Sequence, residues 1–283
     1  MINGIVTGKQ LYWPGVTTTN LHDVLLVPQQ FASISLAIES IVRPSTIMLS
    51  PGVYFEDLSL VRLPDLVITT SNFLRRGVII VGAAAASVIT IDSASVYLTG
   101  LEIRSNSRAR AISAVDSSIA LQECVLAGNK TEHSGAGMLC VRSSVRVQKT
   151  IVAGNTAAGF ERASGGGLHL TDCKVEIAGS TVQANAAHGS IEATGGGIYF
   201  ERSKMRIWRS RVTDNAVWGG RAKGGGVYLR DSHGQIGGSV ITGNGANGED
   251  TQGGGIFING TEEIIVHPNT IVRRNYPDDC VGG

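Results

Sequence analysis

Four glycine triplets, each followed by an aliphatic residue, recur along this chain at almost constant spacing. They are Gly165-Gly166-Gly167-Leu168, Gly195-Gly196-Gly197-Ile198, Gly224-Gly225-Gly226-Val227 and Gly253-Gly254-Gly255-Ile256, separated by 30, 29 and 29 residues. Gly135-Ala136-Gly137-Met138 is a degenerate copy 30 residues upstream. A fixed period near 30 means stacked structural units, because each unit is too short to bury its own apolar face. A second signature keeps the same period: an apolar residue, two residues, then Asn, at Asn129, Asn155, Asn185, Asn215, Asn244 and Asn275, with Asn106 expected as an earlier copy.

Within a unit the hydrophobic period is two. Leu168/Leu170, Ile198/Phe200, Val227/Leu229 and Ile256/Ile258 alternate with variable positions, and so do Val175/Ile177, Met205/Ile207 and Ile264/Val266. Period two over runs of three to five residues reads as short strands. The expected fold is therefore all-β: a right-handed parallel β-helix with three short strands per coil. Glycine makes up 37 of the 283 residues, and fourteen of these sit in the triplets and at Gly135 and Gly137. With 42% hydrophobic residues the glycine belongs to ordered corners and not to flexible linkers. A side chain at Gly196 or Gly225 should not fit such a corner.

The paired GGG-[LIV] and V-x-x-N motifs resemble the repeats of polymorphic outer-membrane proteins. The whole pattern resembles the parallel β-helix of the pectate-lyase-like superfamily. Upstream, Pro44-Ser45-Thr46-Ile47-Met48-Leu49-Ser50-Pro51-Gly52-Val53-Tyr54-Phe55-Glu56-Asp57 is similar to the first-coil motif of β-helix carbohydrate-active proteins. These likenesses cover residues 33–275 and imply a fold; function has to be argued from sites.

Ile34, Ile38 and Ile41 lie at helical spacing, so an amphipathic helix should cap the N-terminal end, where strand edges would otherwise be open. The expected division is a cap and lead-in over 1–45, the β-helix over 46–275 and a tail over 276–283. That tail is short for a cap, which leaves room for a homo-oligomer through the C-terminal end.

Stacking turns repeats into columns. The Asn column fits a turn in left-handed conformation with side-chain amides bonded along it. Ser143, Cys173, Ser203, Ser232 and Thr261 form a second turn column, and Cys140 aligns with core positions. Leu139, His169, Tyr199, Tyr228 and Phe257 alternate with core residues, so they should face outward as an exposed aromatic ribbon beside Thr171, Glu201, Arg230 and Asn259. Such a ribbon suits sugar recognition, or the rings stack on one another or lie under adjoining loops. The segments between each Asn and the next triplet read as loops. They carry Glu132, His133, Phe160, Glu161, Arg162, His188, Glu192, Trp218, Arg221, Lys223, Glu249 and Asp250, and would form a wall beside the ribbon.

The net charge of +1 argues against nucleic acid as a partner of the molecule as a whole. It conceals a basic coil: residues 201–230 hold eight cations against Glu201 and Asp214, which could hold a polyanion. Cys124, Cys140, Cys173 and Cys280 show no metal-site spacing, and neither a metal nor a cofactor is expected. No apolar run is long enough for a membrane span and no signal peptide is seen, so either a cytoplasmic location or a sequence trimmed of its signal is expected.

Three function classes follow. The first is a carbohydrate-active enzyme, in its sharpest form a lyase on an anionic polysaccharide. His169, Tyr199, Tyr228 and Glu201 would be its acid and base groups. Arg221, Lys223, Arg230, Trp218, Phe257, Glu192 and His188 would be its substrate contacts. A hydrolase would need a carboxylate pair, for which Glu161, Glu192 and Glu201 are candidates. The calcium-binding Asp cluster of pectate lyases and the signature motifs of pectin methylesterases and polygalacturonases are missing. The second class is a non-catalytic, adhesin-like or structural solenoid. The third is an intracellular enzyme acting on a small metabolite in the same groove.

Overall fold

The computed structural model describes residues 23–71, 77–82, 86–260 and 263–282. The chain winds as a right-handed parallel β-solenoid. Three sheets run its length. Sheet one has ten strands, from Asp23–Val27 to Ile264–Val266. Sheet two has nine, from Gly52–Phe55 to Ile271–Arg273, and sheet three has nine, from Leu58–Val61 to Cys280–Val281. Strands pair in parallel with equivalent residues in register, so Cys140, Leu170, Phe200 and Leu229 form one core column. Alternation decides what is buried: in Lys174–Ala178, Val175 and Ile177 enter the core while Lys174 stays outside. The result is one continuous apolar core from Val27 to Ile256.

The N-terminal helix forms over Ile34–Glu39 and buries Ile34, Ala37 and Ile38. Ser33 caps it by accepting the Leu36 N–H, a favoured N-cap arrangement. The Glu56 carboxylate also accepts the Ile34 and Ser35 N–H groups and so ties the cap to the first coil. Among the described residues the parallel ladder already includes Asp23–Val27, ahead of the expected start at 46, and Cys280–Val281 continues it into the expected tail.

A fourth side was not anticipated. The segments read as loops between each Asn and the next glycine triplet are short strands running out and back. Examples are Thr156–Ala158 with Arg162–Ser164, and Ala186–His188 with Glu192–Thr194. Stacked over the second half of the chain, they make a seven-stranded wing. The wing has its own thin core of Ala157, Ala187, Val217 and Ala246 against Ala163, Ala193 and Ala222. Methyl groups are what permit two strand layers to lie so close. These sequences read as loops because an alanine-based core carries almost no hydrophobic contrast.

Corners follow one recipe. A residue in left-handed conformation precedes a small polar residue, whose side-chain oxygen accepts the N–H of its equivalent one coil upstream. Thus Ser203 accepts from Cys173 and Ser232 from Ser203. A further column missed in the sequence does the same: Thr150, Ser180, Ser210 and Ser239 accept from Cys124, Thr150, Ser180 and Ser210. The Asn column is a buried amide ladder. Asn155 Nδ2 donates to Asn185 Oδ1 at 2.8 Å and to the Leu126 carbonyl at 2.9 Å, while Asn185 Oδ1 also accepts the Asn155 N–H. The positive φ expected at Asn falls instead on the residue before it, at Gly154, Ala184, Asp214 and Gly243. The ladder opens at Ser105, whose N–H donates to Asn129, and Asn106 is exposed beside it. Thr261 lies outside the described residues.

The triplets are close approaches between coils. A Cβ on Gly196 would come within 2.3 Å of the Ala216 carbonyl oxygen, and one on Gly225 within 2.4 Å of that of Gly245. All four cysteines are free thiols; Cys140 is fully buried among core residues and only Cys280 is exposed.

Candidate functional site

The outer face of sheet three meets the wing along the glycine corner, and this junction gathers most of the expected site. His169, Tyr199, Tyr228 and Phe257 are successive residues of one register column. Their rings stack face to face, with centroids 4.6, 5.2 and 5.4 Å apart. The ribbon exists, but it is not exposed: Tyr199, Tyr228 and Phe257 keep only 6%, 5% and 8% of their surface. Two causes act together. Each ring covers the faces of its neighbours, and the wing closes on the ring edges. Ser164 Oγ bonds His169 Nδ1 at 3.0 Å, and Lys223 Nζ lies 5.2 Å from the Phe257 ring centre. A sugar cannot stack on rings whose faces are already used, so of the two readings it is the rings stacked on one another that holds, in place of the open platform.

The opposite ring edges, turned away from the wing, remain for polar contact. The Tyr228 hydroxyl accepts from Asn259 Nδ2 at 3.1 Å, and His169 Nε2 meets Thr171 Oγ1 at 3.2 Å. Beside Tyr199, Glu201 lies between Arg202 at 2.5 Å and Arg230 at 3.8 Å. Burial pushes the Tyr199 phenol up to about 12, reinforced by the Glu201 charge and opposed by the neighbouring Arg230. Burial also raises Tyr228. It lowers His169 to about 4, so this imidazole is neutral at pH 7.

The wing's inner side carries Arg162, Glu192, Arg221 and Asp250 in one column and Ser164, Thr194, Lys223 and Gln252 in the next. Arg162 pairs with Glu192 at 3.8 Å and Lys223 with Asp250 at 3.4 Å. His188 and Trp218 occupy a column on the wing's outgoing strands, across its alanine core. They face away from the aromatic ladder and do not join its residues. The three carboxylates considered as a pair are likewise spread out. Glu161 sits at the exposed wing edge, Glu192 on the inner side and Glu201 on sheet three. Among the described residues no group of three His, Cys, Asp or Glu side chains is placed to hold a metal, and no helix is long and apolar enough to cross a membrane.

Sequence reasoning missed Trp208 and its setting. Its ring lies over Gly237, where an added Cβ would come within 1.9 Å of it. Arg206 sits 5.1 Å over the ring, and His267 meets it edge-on at 5.3 Å. The only available signal was a glycine where neighbouring coils carry a side chain.

Residues 86–271 match the family model described as a right handed beta helix region. The chain belongs to that family. Among curated proteins nothing matches it. Solved structures that align with this β-helix include three pectin methylesterases. That of Aspergillus niger is 12% identical over 93% of this chain and 89% of its own, with a TM-score of 0.48. That of the rice weevil is 12% identical over 92% and 91%, with a TM-score of 0.43. That of Erwinia chrysanthemi is 14% identical over 76% and 90%, with a TM-score of 0.37. At these identities the likeness is one of fold.

Proposed function

We propose that this β-helix is a saccharide-binding protein that holds a sugar chain in the cleft between sheet three and the wing. One observation carries the reading: Tyr199 and Tyr228 turn their edges and hydroxyls toward Glu201, Arg230 and Asn259, in a line crossing three consecutive coils. Such a line offers donors and acceptors to successive sugar hydroxyls, held rigid by ring stacking behind it. Charges along the cleft balance: Glu201, Asp172 and Asp231 meet Arg202 and Arg230, Glu192 meets Arg162, Asp250 meets Lys223, and Arg221 offsets the remaining carboxylate. This balance favours recognition of hydroxyl groups over capture of a polyanion.

Recognition is also favoured over acid–base turnover. A catalytic acid or base works best with a pKa near the working pH. His169 is drawn down to about 4 and Tyr199 up to about 12, which takes both away from neutrality. The lyase expected from the sequence would need ligand binding to reverse both shifts.

The test is retention on a panel of immobilised neutral and acidic polysaccharides, with absorbance at 235 nm followed on polyuronides for lyase turnover. A neutral chain should be retained, and Glu201→Gln with Arg230→Ala should weaken retention at least tenfold without new absorbance. Retention unchanged in that double variant, or by no polysaccharide at all, overturns the reading. Steady absorbance gain abolished by Tyr199→Phe would replace it with the lyase.

A further inference from the structure

The outer face of sheet one carries a row of cations that the cleft does not use. Register places Lys174 beside Lys204 and then His233, with Ser118 and Ser144 upstream in the same column. The next column holds Arg146, Glu176, Arg206 and Gln235. These residues line two adjoining hollows of about 450 and 680 Å³ that share Lys204 and Arg206.

The charge on this face is only partly compensated. Several cations elsewhere meet carboxylates in neighbouring coils, as Arg142 does Asp116 and Arg202 does Asp172. Here Glu176 lies 3.5 Å from Arg146, and Glu263 stands at the far end of the second hollow. Among the described residues Lys174, Lys204 and Arg206 have no ion-pair partner, and all three are exposed. Like charges on neighbouring strands, about 4.8 Å apart, repel one another. A bound anionic chain would relieve that repulsion. Arg206 is also held in place: its guanidinium rests over Trp208, whose ring is seated across Gly237 and against His267. A cation fixed by stacking loses less side-chain freedom on binding.

We propose that this face binds a linear acidic polysaccharide lying along the solenoid axis. The row is extended and open, so it suits a polymer gripped by several modest contacts better than a small anion in a closed pocket. The coil spacing is close to the rise of one sugar residue. Ser118, Ser144 and Gln235 supply hydroxyl and amide groups for sugar hydroxyls between the cations. Single-stranded nucleic acid is disfavoured because its binders use rows of free aromatic rings. From Ser118 onward neither column carries a Phe, Tyr or Trp, and Trp208, one column further on, is engaged by Arg206 and His267. This site is separate from the cleft and does not depend on it.

The experiment is affinity electrophoresis of the full chain through gels containing polygalacturonate, chondroitin sulfate or dextran. Both acidic polymers should retard the protein, increasingly so at low salt, whereas any retardation by dextran, a neutral chain, belongs to the cleft and should not vary with salt. Lys174→Glu with Lys204→Glu should abolish the retardation while thermal melting stays unchanged. Arg230→Ala in the cleft should leave it intact, so failure here and failure of the cleft can be told apart. Retardation by the acidic polymers that survives the double charge reversal, or that salt does not weaken, overturns the proposal. So does displacement by oligothymidylate at the same concentration as by polygalacturonate.

Discussion

At the scale of single residues, His169 shows what the closed ladder costs and how it can be measured. Its ring is flanked by the Ser164 and Thr171 hydroxyls and stacked on Tyr199, largely out of water. Burial draws its pKa from the ordinary 6.5 to about 4. The unfolded chain takes up this proton near pH 6.5, whereas the folded protein resists it until about pH 4. Between those values the unfolded state binds more protons. The stabilisation is therefore complete above pH 6.5 and is lost as pH falls toward 4. A full shift of that size corresponds to about 3 kcal/mol, and partial access to solvent lowers the expected loss to about 2 kcal/mol. Urea unfolding of the wild type and of His169→Phe at pH 7.5 and 4.5 checks this. The wild type should lose about 2 kcal/mol more than the variant between the two pH values; equal losses would remove His169 as the cause.

At the scale of elements, the corner ladders hold successive coils in register. Asn185 donates to Asn215 Oδ1 and the Val152 carbonyl, and accepts from Asn155 through both backbone and side chain, all in a fully enclosed setting. Removing its amide strands buried groups on both neighbouring coils, at about 1–3 kcal/mol for each. Asn185→Ala should therefore cost about 4 kcal/mol in chemical denaturation. Asn275, the last described rung, is closed by Asp279 and only half-buried, so its change to Ala should cost about 1 kcal/mol, because water reaches the groups left behind. Similar losses at the two sites would show that the ladder adds nothing beyond local turn geometry. These ladders were legible in the sequence because Asn and the triplets recur as rare, identical residues. The Thr150–Ser180–Ser210–Ser239 ladder was not, since Ser and Thr are common at any turn. The wing was hidden for a related reason: Ala157, Ala163, Ala187 and Ala193 make a core without the large apolar side chains by which a buried strand is recognised. The aromatic column was correctly placed outside the main core. Its closure depended on the wing, so the exposure expected of Tyr199 and Tyr228 could not survive.

At the scale of the whole molecule, the architecture is close to one-dimensional, and its stability should be distributed accordingly. Each coil contacts the one before and the one after it, so interior coils are stabilised from two sides and the last coil from one. The burial record follows that logic. Phe200, Leu170 and Leu229 in the middle are almost wholly enclosed, whereas Val266 and Val272, at core-facing positions of the last described coil, are only partly covered. At the other end the helix Ile34–Glu39 covers the first coil with Ile34, Ala37 and Ile38. Opening should therefore be asymmetric. Native-state hydrogen exchange should show protection highest across the coils containing Leu170, Phe200 and Leu229, lower at the capped N-terminal end, and lowest in Ile264–Val266 and Ile271–Arg273. Phe200→Ala should cost about 3–5 kcal/mol and lower protection in the coils on both sides of it, because its cavity is shared through the stack. Protection that is uniform from end to end, or a loss confined to the mutated coil, would mean that the solenoid opens as a single cooperative unit or that its coils are uncoupled. Either result contradicts stability built from one coil to the next.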